Sequence, residues 1–200
     1  MSASPLIVAF HGYGQDADDA LAEVRKIPGA SRWRIVSVQA LHRFYTRDQS
    51  KIVGSWLTRQ DRELGIADNV EYVDRVIDEL FGPADPDDTP NRLVFVGFSQ
   101  GASMAYRAAM LGRHRACGII ALAGDIPPEL GVVEQKWPPV LLGAGRVDEW
   151  YAEGKLNADI SFLESRGVSY DLCRFAGGHE WTDEFRDAAG RWLAARAHGP

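Results

Sequence analysis

Short runs of almost continuous apolar residues, separated by longer stretches in which apolar positions return every three or four residues, set the pattern of this chain. Leu6 to Phe10, Arg34 to Val38, Arg92 to Val96, Gly118 to Ala123 and Val140 to Ala144 are too short for buried helices, and each is read as a strand covered on both faces. Val168 to Phe175 differs, because Val168, Tyr170 and Leu172 alternate with Ser169, Asp171 and Cys173, the period of a strand nearer a sheet edge.

Helical periods fill the intervals. Leu21 and Val24 mark a helix with Asp18 and Asp19 in its first turn and Pro28-Gly29 beyond its end; Val70, Val73, Ile77 and Leu80 mark a second. Leu156, Ile160 and Leu163 mark a helix stopped by Gly167, and Phe185, Ala189 and Trp192 mark one capped by Thr182. The helix after Ser99 carries Ala102, Ala105, Ala108 and Ala109, side chains small enough for close packing on a sheet. This alternation predicts an α/β fold: a mostly parallel sheet with helices on both faces.

Neither a spacer of distinct composition nor an internal repeat divides the chain, so residues 1–200 are read as one domain. Gly82 to Asn91, with three prolines and three aspartates, is expected to be a solvated loop. Ala40 to Leu64 and Gly124 to Pro139 lack a clear period and are expected to be irregular connections of the kind that border active sites.

Charge narrows the range of functions. The net charge is −6, with acids and bases interspersed, so no basic stripe points to nucleic acid and no cationic amphipathic helix points to a membrane surface. The start, Met1 to Pro5, has no basic, apolar and small-residue succession of a signal peptide, and a cytosolic location is expected. The two cysteines, Cys117 and Cys173, fall in or beside strands and are read as small buried hydrophobes without a disulfide.

The chemistry gathers where predicted strands end. Gly97-Phe98-Ser99-Gln100-Gly101 follows a buried strand and opens a helix, so Ser99 sits on a sharp turn that raises its hydroxyl above the sheet. The flanking glycines leave room where strand and helix nearly touch. An ordinary glycine-rich turn would share the pattern, but a serine so placed is a candidate nucleophile. It then needs a base, itself oriented by an acid.

Gly177-Gly178-His179 follows the last strand and can bring His179 to the strand ends. His42 and His114 lie in basic segments expected to be exposed, and His198 lies in the tail. For the acid, Asp148 in Gly145-Arg146-Val147-Asp148 follows a strand at the same edge, with Asp125, after the preceding strand, as the competitor. The order Ser, Asp, His is that of α/β-hydrolases. The N–H of Gln100, at a helix start, and that of Tyr13, in His11-Gly12-Tyr13-Gly14 after the first strand, are candidate oxyanion donors; His11 is expected to bond locally and shape that loop.

Taken together, His11 to Gly14, Gly97 to Gly101 with its alanine-rich helix, Leu122-Ala123-Gly124, Gly145 to Asp148 and Gly178-His179-Glu180 resemble the phospholipase/carboxylesterase family of α/β-hydrolases, which includes the acyl-protein thioesterases. The resemblance implies a fold with little or no separate lid, a triad of Ser99, Asp148 and His179, and oxyanion donors at Tyr13 and Gln100. Two departures concern the substrate. Trp56 is followed by Leu57 and Thr58, where the family commonly has an aromatic residue and an acid, and Asp125 stands where an apolar residue is common.

Trp56, Trp150 and Trp181 are candidates for an apolar pocket wall, against the ordinary role of core residues. No histidine or cysteine cluster has zinc spacing and the glycine-rich start lacks a phosphate-loop lysine, so no cofactor is needed. The expected reaction is hydrolysis of a small-molecule ester or thioester. A peptidase or amidase with the same triad, and a binding protein on the same fold, are the competing readings.

Overall fold

A computed structural model describes residues 5–81 and 93–197; Arg92, the proline- and aspartate-rich loop and His198 lie outside the described residues. Six strands form one parallel sheet in the order β2-β1-β5-β6-β7-β8: β1 Leu6–Phe10, β2 Arg34–Val38, β5 Leu93–Phe98, β6 Gly118–Leu122, β7 Val140–Gly145 and β8 Tyr170–Phe175. Every residue of β1, β5 and β6 is buried, as continuous apolar runs demand. The outer strands are partly exposed. In β8 the expected alternation is imperfect, since Asp171 and Leu172 are both exposed and only Phe175 is fully inside.

The helices are α1 Ala17–Arg25, α2 Arg62–Phe81, α3 Gln100–Leu111, α4 Glu153–Ser165 and α5 Asp183–Ala197. Crossovers between parallel strands are right-handed, so the β1-α1-β2 step and the β5-α3-β6 step, which run in opposite directions along the sheet, put α1 and α3 on opposite faces. Helix α5 shares the face of α1, where Arg186 pairs with Glu23 and Gly190 packs on Pro28. On the other face Arg113, just past α3, binds Asp78 of α2 at 2.7 Å. Thr182 caps α5 by accepting from the Phe185 N–H at 3.3 Å.

The segment from 40 to 64 departs from expectation. Instead of an irregular connection it contains an antiparallel hairpin, β3 His42–Tyr45 with β4 Ile52–Ser55. All four residues of β3 are exposed, so no inside-outside alternation advertises the strand. Its turn is held by Asp48, whose carboxylate accepts from the Thr46 hydroxyl at 2.6 Å and the Ser50 hydroxyl at 2.8 Å, with Gln49 at φ +57°. Helix α2 also starts earlier than its apolar period suggests, because Arg62, Glu63 and Leu64 in its first turn are exposed.

After β2 the chain crosses to the far side of β1 before entering β5, which makes the carboxyl ends of β1 and β5 the point where the strand order reverses. Ligand crevices in open parallel sheets form at such a point. Among the described residues, no helix is long and apolar enough to cross a membrane.

Candidate active site

Ser99 links β5 to α3 with φ +55° and ψ −123°, a conformation that costs a non-glycine residue about 1–3 kcal/mol and persists only where its surroundings dictate it. Those surroundings are backbone. A Cβ on Gly97 would lie 2.1 Å from the Gly101 carbonyl oxygen, one on Gly101 would lie 2.2 Å from that of Phe10, and one on Gly124 would lie 2.2 Å from that of Ser99. The Ser99 N–H donates to the Leu122 carbonyl at 2.8 Å, tying the turn to β6. The hydroxyl is thereby fixed at the carboxyl edge of the sheet.

From β7 and β8, two loops converge on it. The Arg146 N–H donates to the Phe175 carbonyl at 3.0 Å and the Val147 N–H to that of Gly177 at 3.1 Å, and a Cβ on Gly145 would meet the Gly178 oxygen at 2.2 Å. So joined, the loops bring His179 Nε2 to 2.7 Å from Ser99 Oγ and His179 Nδ1 to 2.8 Å from Asp148 Oδ2.

Asp148 is buried, and its Oδ1 accepts from the N–H groups of Trp150 at 2.8 Å and Tyr151 at 2.9 Å. A carboxylate so held accepts the Nδ1 proton and leaves Nε2 free to take one from the hydroxyl. The competing acid, Asp125, is exposed and turned toward Lys155 at 3.7 Å. His114, expected to be exposed, is instead drawn against Asp78 at 2.8 Å with most of its ring covered.

The loop after β1 is braced from two sides. His11 is buried, with Nδ1 donating to the Gly12 carbonyl at 2.7 Å and Nε2 accepting from the Ala40 N–H at 3.1 Å, and loss of solvent lowers its pKa. A neutral imidazole that shapes the loop follows. Gly14 N–H donates to Gly54 of β4 at 3.0 Å and Gly54 N–H returns to Gln15 at 2.8 Å, so the hairpin holds the Tyr13 backbone in place.

Gln100 adds a brace that its reading as a backbone donor did not include. Its Oε1 accepts from the Trp56 N–H at 2.9 Å and its Nε2 donates to Ser55 Oγ at 3.1 Å and to the Leu57 carbonyl at 3.3 Å. A polar side chain directly after the candidate nucleophile was the only sequence signal for it.

The three tryptophans separate. Trp56 has no exposure; its indole N–H donates to the His11 carbonyl at 2.8 Å and its ring packs on Phe10, so it belongs to the core and not to a pocket wall. Trp181 is half-buried beside Phe98 and Phe185, and Phe98 in turn faces the His179 ring at 4.9 Å. Trp150 is 74% exposed on the Asp148 side. An open cavity of about 870 Å³ lies on the opposite side, along Tyr13, Gln100 and the hairpin, and none of the three lines it.

A parallel sheet with helices on both faces and these loops at its carboxyl edge defines an α/β-hydrolase. Among solved structures, the chain is similar to esterase PE8 at 27% identity, with 98% of this chain and 94% of that one covered and a TM-score of 0.74. SOBER1 of Arabidopsis thaliana, at 18% identity with 98% and 100% covered and a TM-score of 0.78, and the carboxylesterase of Bacillus cereus, at 17% with 96% and 89% covered and 0.75, share the fold. The phospholipase/carboxylesterase family model matches residues 1–167, and the chain belongs to that family.

Proposed function

We propose that the protein hydrolyses carboxylic esters or thioesters through a covalent acyl-enzyme on Ser99. The observation that carries this reading is the continuous contact from hydroxyl to imidazole to buried carboxylate, made by residues 80 and 31 positions apart in sequence. Ser99 Oγ attacks the acyl carbon while its proton passes to His179 Nε2, and Asp148 holds the imidazole in the tautomer that accepts it. The N–H groups of Tyr13 and Gln100 stabilise the oxyanion. Collapse of the adduct breaks the acyl bond to the leaving alcohol or thiol, which takes the proton from His179; water then enters by the same route and frees the acid.

Labelling by a fluorophosphonate tests this. The probe is expected to modify Ser99 alone and to abolish turnover of 4-nitrophenyl esters. Labelling elsewhere, or full esterase activity in Ser99→Ala, sinks the reading. Comparison with the matching 4-nitroanilides separates an esterase from an amidase, since only the latter cleaves both at similar rates.

A further inference from the structure

The cavity beside the hairpin carries a charge opposite to that of the chain. Acids outnumber bases by 28 to 22 overall, yet the lining includes His42, Arg43, Arg59 and Arg62 and no aspartate or glutamate. Arg62 is already matched, by Glu129 at 3.0 Å, which also accepts from the buried Arg107 at 2.7 Å. Arg43 and Arg59 have no carboxylate within ion-pair distance among the described residues. Two guanidinium groups in one concave site are a ready fork for a planar anion.

The position of the cavity says which half of a substrate would meet them. A leaving group has to lie within reach of His179, which protonates it, and His179 is not part of this lining. Ser99 is not in the lining either, but Tyr13 and Gln100, the residues of the candidate oxyanion donors, are, so the cavity lies on the oxyanion side of the serine and away from His179. Resting on the hydrolytic reading above, we propose that this is an acyl pocket that selects acyl groups ending in a second carboxylate, the half-esters of dicarboxylic acids. Hydrolysis then releases the alcohol and the dicarboxylate, with the distal carboxylate unchanged.

The test compares 4-nitrophenyl hydrogen adipate and suberate with the same diesters capped by methyl at the distal end. The free acids are expected to show kcat/KM about tenfold higher or more, with the advantage shrinking in 0.5 M salt. In the Arg43→Gln/Arg59→Gln double variant the ratio is expected to approach about one, as the pairing is lost. Equal rates on free and capped esters, or a ratio that survives in the double variant, overturns the proposal.

Calorimetry with adipate against hexanoate is the arm independent of turnover. Adipate binding that the double variant loses supports the pocket even if no ester is cleaved, a result that would count against Ser99 hydrolysis instead. Adipate that binds no better than hexanoate overturns it.

Discussion

On the β7–β8 side of Ser99, the machinery is held by backbone: Asp148 by two N–H donors, the His179 loop by the Arg146 and Val147 N–H groups that donate to the Phe175 and Gly177 carbonyls, and the turn itself by glycines with no room for a methyl. On the hairpin side, the cavity is bordered by the buried Ser55 and the half-buried Leu57 and Gln100 at its base, and otherwise by exposed side chains, most of them on β3 and the segment leading into α2. On the proposed reading, the buried side sets the reaction geometry and the exposed one the choice of substrate. Surface side chains are cheap to vary, whereas an over-determined turn tolerates almost nothing.

The largest expected effects break the buried side. Ser99→Ala should lower kcat by about 10⁶, read from burst and steady-state rates on an activated ester. Asp148→Asn should cost about 10⁴. The amide oxygen of the variant stays with the Trp150 and Tyr151 N–H groups, so its NH₂ faces His179 Nδ1 and forces the proton onto Nε2, where the base can no longer accept from Ser99.

Gly101→Ala tests the turn as structure. Its methyl would sit 2.2 Å from the Phe10 carbonyl and 2.5 Å from that of His11, both in rigid backbone, so the loss of stability should be at least about 3 kcal/mol by urea unfolding. A variant as stable as the parent would show that β1 and α3 can move apart, and the rigid side would not be rigid.

Behind Asp148 lies a buried carboxylate that gives this side a pH dependence. Asp159 accepts from the Tyr151 hydroxyl at 2.7 Å and from the Ile126 N–H at 3.1 Å, and burial raises its pKa to about 6 despite those bonds and the nearby Lys155, with Asp125 adding to the rise. A carboxyl whose pKa is higher folded than unfolded stabilises the fold fully below its unfolded pKa and loses that contribution as pH rises through about 6. The loss is at most about 3 kcal/mol. Asp159→Asn should therefore flatten the decline in Tm between roughly pH 4 and pH 7 relative to the parent; parallel curves would remove Asp159 from the account.

How much of this was legible in sequence follows the same division. Buried strands announce themselves through apolar runs, and Gly97 to Gly101, Asp148 and His179 could be found because strand ends are where a parallel sheet presents side chains. The hairpin could not: His42, Arg43, Phe44 and Tyr45 are all exposed, and exposure leaves no period to read. Trp56 could not be decided between pocket and core for a related reason, since an aromatic residue in an irregular stretch looks available, while its burial depends on Phe10 and His11, far away in sequence. The Gln100 carboxamide is likewise a tertiary fact, because its partners at 55 to 57 lie on another element.

The smallest expected effect sharpens the comparison. Phe44 stacks on Tyr13 with ring centroids 5.5 Å apart, and both rings are at the surface, Tyr13 with 66% of its area exposed. Phe44→Ala removes one aromatic contact worth about 1 kcal/mol and empties part of the cavity wall without touching the backbone bonds from Gly14 to Gly54 that hold the loop. Stability should therefore fall by no more than about 1 kcal/mol. Turnover should respond through KM, rising less than about tenfold, with kcat almost unchanged, because a wall that binds the acyl group equally in ground and transition states alters only uniform binding. A fall in kcat with KM constant would place Phe44 among the residues that set the oxyanion geometry, and the hairpin would then belong to the chemistry as much as the β7–β8 loops do.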